Sequence, residues 1–355
     1  MIKRRETRQL FVGNVKVGGG APVSVQSMTN TKTADCRATI AQIKSLAEAG
    51  CEIVRIAVLN MEDAKSIGQI VSESEIPVIA DIHFNHSLAI ESVRQGVHGL
   101  RLNPGNIGGK KRVKQVVEVA GAHNIPIRIG VNAGSLEKEI LEKYGYPTAA
   151  GMVESAMNHI AILEEFDFCN IKVSLKASDV PRTIEAYREL SKRVDYPLHL
   201  GVTEAGTSFS GTIKSAVGVG TLLAEGIGDT IRVSLSADPV EEVKVGFEIL
   251  KSLQIRSKGV NVISCPTCGR MQVDLIRLAN EVEKRLAHIE APLNVSVLGC
   301  VVNGIGEALE ADAGIAGGKD EGLLFSEGEV VGKIAEDKLV DALVDEVEKI
   351  AARND

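Results

Sequence analysis

Three cysteines late in the chain carry the most pointed chemistry. Cys265 and Cys268 form a Cys-x-x-Cys pair within Ser264-Cys-Pro-Thr-Cys-Gly-Arg270, and Cys300 follows about thirty residues on, ahead of Asn303-Gly-Ile-Gly-Glu307. Thiolates are the soft ligands that zinc and iron-sulfur clusters select. Three of them leave a fourth position for another residue type, a water or a substrate, and an open position separates a working metal centre from a closed structural one. Glu307 is the nearest carboxylate after Cys300, at the end of a glycine-rich stretch that reads as a loop able to fold back onto a metal. His288, the only histidine between Cys268 and Cys300, falls in a helical pattern and reads as a solvated face residue. Zinc, iron-sulfur and a bare redox dithiol all remain open at this level.

A second set lies upstream. Arg55, Arg101, Arg128, Lys172 and Arg232 each sit in a short apolar segment in which alternate residues are polar. In a strand, alternate residues share a face, so one phase is apolar and the other polar and mostly cationic. Asp81 and His83, Asn103, Asn132, Lys172 with Ser174 and Lys176, and Ser234 with Ser236 keep that polar phase. Burying an unpaired charge costs several kcal/mol, so a converging set of cations requires anions. Asp81 and Glu204 supply too few, which points to a bound phosphate or diphosphate held by Arg forks and by Ser and Asn side chains. Glu204, Asp81 and His83 are the groups placed to move protons; a carboxylate among cations tends to stay ionised.

The elements that must position these residues alternate regularly. Strand patterns at Pro22–Thr29, Glu52–Val58, Pro77–Phe84, Gly99–Asn103, Pro126–Val131, Asn170–Leu175, Pro197–Thr203 and Thr230–Leu235 are each followed by a helical pattern. About eight such pairs over roughly 230 residues is the signature of a (β/α)8 TIM barrel, whose active site lies at the C-terminal ends of its strands. A doubly wound fold would carry a glycine-rich fingerprint after its first strand, and Gln26-Ser-Met-Thr-Asn30 is not one. Beyond residue 255 the pattern changes. Strands at Val262–Ser264 and Asn294–Leu298 end at the cysteines, a helix over Gln272–Ile289 joins them, and Gly314–Ala316, a hairpin over Gly322–Ile334 and a helix over Glu336–Ala352 complete a small α+β module. The expected domains are therefore 1–255, the substrate-binding barrel, and 260–355, the metal-bearing module.

Composition sets outer limits. The 355 residues carry a formal charge of -7, with 3% aromatics and no Trp, which excludes a basic, base-stacking nucleic-acid surface. No stretch reaches the length of an apolar membrane span, and Met1-Ile-Lys-Arg-Arg-Glu-Thr-Arg8 leads into no secretory core, so a cytoplasmic protein is expected. Cys36, Cys51 and Cys169 are expected as small core residues in a reducing compartment. The eighth barrel helix, about 22 Å long, returns the chain to the end of the barrel opposite the mouth, and the following linker spans at most about 20 Å. The metal module is thus expected to cap the mouth of a second chain, in a head-to-tail homodimer.

Val25-Gln-Ser-Met-Thr-Asn-Thr31, Ala80-Asp-Ile-His-Phe84, Leu102-Asn-Pro-Gly-Asn-Ile-Gly108 and Leu200-Gly-Val-Thr-Glu-Ala-Gly206, with the two cysteine motifs, closely resemble the 4-hydroxy-3-methylbut-2-enyl diphosphate synthase family in its bacterial two-domain form. The resemblance covers essentially the whole chain. It implies a [4Fe-4S] cluster held by Cys265, Cys268, Cys300 and Glu307. It also implies the substrate 2-C-methyl-D-erythritol 2,4-cyclodiphosphate of the methylerythritol phosphate route, bound by Arg55, Arg101, Asn103, Arg128, Asn132, Lys172, Arg232 and Ser234. The implied reaction is a reductive ring opening and dehydroxylation, with electrons from flavodoxin or ferredoxin and Glu204 as proton donor, supported by Asp81 and His83. Two rivals stay beside it: a non-redox barrel processing a phosphate ester with a structural zinc, and an iron-sulfur electron carrier, which has no use for the cations.

Overall fold

The computed structural model describes residues 2–257 and 259–354, with backbone alone for Asn303, Gly304 and Asn354. The chain divides into two compact units, Met1–Arg256 and Ser257–Asp355. No helix among the described residues is long and apolar enough to cross a membrane.

The first unit opens with a hairpin absent from the sequence reading, β1 (Leu10–Val12) and β2 (Val15–Val17). Eight parallel strands follow: β3 (Ser24–Met28), β4 (Ile53–Ala57), β5 (Val78–Asp81), β6 (Gly99–Arg101), β7 (Ile127–Asn132), β8 (Ile171–Lys176), β9 (His199–Leu200) and β10 (Thr230–Ile231). They run in the order β8-β7-β6-β5-β4-β3-β10-β9, and a parallel bridge between Val173 and Leu198 joins β8 to the β9 end. The result is the expected TIM barrel. Helices α1 (Cys36–Glu48), α2 (Met61–Glu73), α3 (His86–Arg94), α4 (Lys110–Ala122), α5 (Lys138–Tyr144), α6 (Ala149–Glu164), α7 (Val180–Ser191), α8 (Ser208–Ala224) and α9 (Pro239–Ser252) connect the strands. The short α5 is an addition to the expected pattern.

Local sequence explains where the helices begin. Asp35, Asn60, Asn85, Thr148, Asp179 and Asp238 each accept a hydrogen bond from a backbone N–H of the first turn of α1, α2, α3, α6, α7 and α9. In β8, Ile171, Val173 and Leu175 join the core shared with the helices, while Lys172, Ser174 and Lys176, also buried, take the opposite phase. The hairpin closes the barrel end away from the mouth: Leu10, Val12 and Val17 pack on Ile53 and Ile79. Burying these chains removes apolar area worth about 25 cal/mol per Å².

The second unit is a five-stranded mixed sheet, β11 (Asn261–Ser264), β12 (Asn294–Leu298), β13 (Ala313–Gly317), β14 (Glu321–Ser326) and β15 (Glu329–Ala335), in that order. The first three strands are parallel; the last two complete an antiparallel meander. Helices α10 (Leu275–Leu286) and α12 (Leu339–Asn354) share a core with Val295, Val297, Ile315 and Leu324. The glycine-rich stretch expected as a loop is instead helix α11 (Val301–Glu310). Its Ala308 packs with Leu298, Ala316 and Phe325, and that anchorage outweighs the two glycines' helix cost of about 1 kcal/mol each.

Candidate active site

The polar phase of the barrel strands converges as the alternation requires. A cavity of about 130 Å³ is lined by Arg55, Asp81, His83, Arg101, Arg128, Asn132, Ser174, Lys176, Thr203, Arg232 and Ser234. Parallel register sets Arg55 beside Ile79, Asp81 beside Arg101, and Arg101 beside Arg128. Arg101 Nη1 donates to Asp81 Oδ1 at 3.1 Å, and its Nη2 to the Gly130 carbonyl at 2.9 Å. Only glycine permits this: a Cβ at Gly130 would stand 2.4 Å from Arg101 Nε. Arg55 Nε lies 3.5 Å from Asp81 Oδ2, and its Nη2 donates to the Met28 sulfur at 2.9 Å. Asn103 Oδ1 accepts from the Gly130 N–H at 2.8 Å, which ties the end of β6 to β7.

Glu242, on α9, was not visible as a site residue in the sequence. Its carboxylate accepts from Arg232 Nε and Nη2 at 3.2 Å, from Ser27 Oγ at 3.0 Å and from the Leu235 N–H at 3.0 Å. Nothing in a helical segment signals that one carboxylate will reach back into the barrel. Lys176 is the second omission. It lines the cavity, whereas Lys172 sits two inward positions deeper on β8, outside that lining and only 1% exposed. The shared phase of Lys172, Ser174 and Lys176 was legible, but only the strand register tells which of them reaches the mouth.

Cations outnumber anions here, and burial leaves its mark on Arg55, Arg128, Lys172 and Lys176. Desolvation pulls Arg55 down to about 10, with Arg232 and Arg101 adding to the effect against Asp81. Burial and the neighbouring Arg55 and Arg101 push Arg128 well below its usual value, and its Nε and Nη1 have no partner. Burial and Arg128 bring Lys172 down to about 7, with Nζ unpartnered. Lys176 is lowered too, chiefly by burial, and its Nζ lies 3.4 Å from His199 Nε2. Burial alone would raise Asp81, yet Arg55, Arg101 and Arg128 hold it near 2. An anion in the cavity reverses these penalties, since opposite charge favours the charged form.

The groups expected to move protons differ in setting. Asp81 is buried between two arginines and stays ionised. His83 is partly exposed, its imidazole 3.1 Å from Arg101 Nη1, with burial lowering its proton affinity. Glu204 is exposed, immediately after the cavity residue Thr203, with backbone φ of +50, a conformation uncommon outside glycine.

In the second unit, Cys265 directly follows β11 and Cys300 follows β12 as the residue before α11. These strands are parallel neighbours with Ser264 opposite Val297, so both thiols leave the same end of the sheet. The Gly299 N–H donates to Cys265 Sγ at 3.4 Å. Cys268 is exposed in the loop between them, and all three are free thiols. Glu307 lies on the exposed side of α11, about two turns past Cys300. Among the described residues no three such groups stand close enough to hold a metal, so the thiols share a sheet end without forming a closed set. The donor chemistry of three soft thiolates and a carboxylate fits a cluster with one exchangeable position. The Asn303 side chain of this motif lies outside the described residues. Of the remaining cysteines, Cys51 is buried as expected; Cys169 is exposed, not core.

Fold and site together define a (β/α)8-barrel protein with a cationic mouth and an appended thiol-bearing unit. The chain belongs to the GcpE family: residues 7–247 match the GcpE TIM-barrel domain and residues 261–349 the GcpE protein C-terminal domain. It is 64% identical over 349 residues to the 4-hydroxy-3-methylbut-2-en-1-yl diphosphate synthase (flavodoxin) of Geobacter sulfurreducens, covering 98% of this chain and 99% of that protein. The enzyme of the same name from Symbiobacterium thermophilum is 60% identical over 352 residues, covering 99% and 95%. Among solved structures, N-acetylneuraminic acid synthetase from Leptospira borgpetersenii matches 71% of this chain and 91% of its own, with TM-score 0.50 and 14% identity, a likeness of barrel fold alone.

Proposed function

We propose that the barrel mouth binds the diphosphate of 2-C-methyl-D-erythritol 2,4-cyclodiphosphate and that Cys265, Cys268, Cys300 and Glu307 hold a [4Fe-4S] cluster. The activity is that of 4-hydroxy-3-methylbut-2-enyl diphosphate synthase, an oxidoreductase of isoprenoid precursor biosynthesis, as in relatives up to 64% identical over nearly the full chain. The observation that carries the substrate assignment is the cavity's excess of buried or half-buried cations, Arg55, Arg101, Arg128, Lys176 and Arg232, over the carboxylates Asp81 and Glu242. The cavity's volume of about 130 Å³ suits a diphosphate group.

In this reading the arginines clamp the diphosphate bidentately, Ser234 and Asn132 fill the remaining oxygens, Asn103 meets the substrate from the adjoining larger cavity, and Lys172 adds positive charge from beneath. Asp81 holds Arg55 and Arg101 in place, as Glu242 holds Arg232. Two electrons enter, one ring C–O bond opens to leave the diphosphate on a single carbon, and a hydroxyl departs as water. The cluster, when bound, supplies electrons singly and a Lewis-acidic iron for that hydroxyl. Glu204 at the rim protonates the departing group, with His83 in support and the ionised Asp81 fixing the arginines beside it. The reductant is flavodoxin, which the relatives' names carry, or ferredoxin. The six free thiols suit the reducing cytoplasm.

A head-to-tail homodimer, with the cluster unit of one chain over the mouth of its partner, belongs to the same proposal. What supports it is the uncovered apolar face of α11 beside Cys300, where Val301, Val302, Ile305 and Leu309 are exposed. A zinc-stapled phosphate-ester barrel finds no support among flavodoxin-dependent relatives, and zinc cannot donate electrons. The test is the iron, sulfide and zinc content of anaerobically purified protein, together with turnover of the cyclodiphosphate by reduced flavodoxin. About four irons and four sulfides with broad visible absorption and product formation are expected. Stoichiometric zinc in a colourless, inactive protein would overturn the proposal.

A further inference from the structure

Beside the cationic cavity, and sharing His83 and Arg101 with it, lies a second, larger one of about 380 Å³. One wall is the tight turn after β6, which contributes Asn103 and Asn106; another is the loop after β7, which contributes Ser135. These two loops belong to different strand–helix units, yet a histidine from a third element ties them together. His159, on α6, is 2% exposed. Its Nδ1 accepts from the Gly105 N–H, in the middle of the first turn, at 3.2 Å. Its Nε2 lies 2.6 Å from Glu137 Oε1, in the second loop just before α5, and Ser155 Oγ donates to the same oxygen at 3.0 Å.

The chemistry of this link is determined. An Nδ1 that accepts carries no proton, so the ring proton is on Nε2, the nitrogen 2.6 Å from the Glu137 carboxylate. Burial alone would raise the Glu137 pKa, but contacts with His159, its own backbone N–H and Ser155 hold it near 2. Gly105 fits no other residue, because a Cβ there would stand 2.8 Å from His159 Cε1. A histidine that served only to fill the space behind α6 has no need of a carboxylate on one nitrogen and a mouth-loop amide on the other.

We propose that His159 and Glu137 are positioning residues: they clip the Asn103–Asn106 turn to the Ser135 loop, so that both walls stand at the spacing that receives the hydroxylated carbon skeleton of the substrate. This rests on the substrate reading above, with the diphosphate in the smaller cavity and the carbon skeleton in the larger.

The experiment compares the holoenzyme with its His159→Leu, His159→Asn, Glu137→Ala and His159→Leu/Glu137→Ala variants. It reads cyclodiphosphate affinity by calorimetry, KM and kcat, the melting temperature, and amide exchange of the 103–106 peptide. His159→Leu and Glu137→Ala are each expected to bind about tenfold more weakly, with KM rising more than kcat falls and exchange at 103–106 faster. Asn, which keeps an acceptor near the Nδ1 position, recovers part of the affinity. The double variant is expected to be no worse than the worse single, because both changes open one link. Additive losses, equal losses for Leu and Asn, or unchanged exchange at 103–106 would each overturn the proposal. If His159→Leu does not fold, Glu137→Ala, altered at a partly exposed side chain, gives the same decision through exchange and affinity. Exchange is read without substrate, so a wild type that fails to bind the cyclodiphosphate removes the substrate assignment even where the link itself is detected.

Discussion

Gly130→Ala is the smallest change that interrogates the mouth. The added methyl would lie 2.4 Å from Arg101 Nε, 2.8 Å from Nη2 and 3.0 Å from Cζ, so the guanidinium must leave its place across β7. It would lose the Gly130 carbonyl and the Asp81 carboxylate together. The fold has little to lose. The displaced atoms are the end of a flexible side chain, Asp81 keeps Arg55, and alanine in a strand recovers about 0.5–1 kcal/mol over glycine. A net change near 1 kcal/mol moves the melting temperature by about 2–4 °C. Substrate binding loses far more, because a charge-assisted hydrogen bond is worth about 1.5–3 kcal/mol, or roughly ten- to a hundredfold in affinity. The assay is calorimetric titration of the cyclodiphosphate beside a thermal melt. Gly134→Ala, whose Cβ meets nothing within 4 Å, is the control. Wild-type affinity in Gly130→Ala would refute the role given to Arg101; equal losses in both glycine variants would refute the steric argument.

Other outcomes follow from the same geometry. Serine at Cys265, Cys268 or Cys300 should abolish iron binding and visible absorption, whereas Cys36→Ser and Cys169→Ser should keep both; metal analysis of the set decides. Glu307→Gln should retain iron and lower turnover, and an unchanged rate would reduce it to a surface residue of α11. Asp81, held near 2 in the fold against 3.8 unfolded, stabilises above about pH 4 and loses that contribution as pH falls toward 2. Asp81→Asn should therefore flatten acid denaturation in that window. Lys172 behaves oppositely. With a folded pKa near 7 against 10.5 unfolded, the unfolded chain binds more protons between those values, so stability rises with pH across them. Lys172→Met should stabilise the substrate-free protein at neutral pH and remove that rise in denaturant midpoints; a rise that persists would show that Lys172 is not its source.

The amino-acid sequence by itself determined the barrel, because parallel strands buried on both faces reveal their phase when one phase must hold cations and the other cannot. It also singled out Cys265, Cys268 and Cys300 as a set, and the structure puts Cys265 and Cys300 at one end of a single sheet. It could not tell Lys172 from Lys176 as the lysine at the mouth, because both keep one phase and only register against the neighbouring strands sets depth. It read the segment after Cys300 as a loop, since glycines argue against a helix until Ala308 finds the sheet to pack on. Glu242 reaching Arg232, Gly130 making room for Arg101, and His159 joining Gly105 to Glu137 are contacts between distant residues. No periodicity encodes them: each depends on where two elements come to rest against each other, which tertiary packing alone decides.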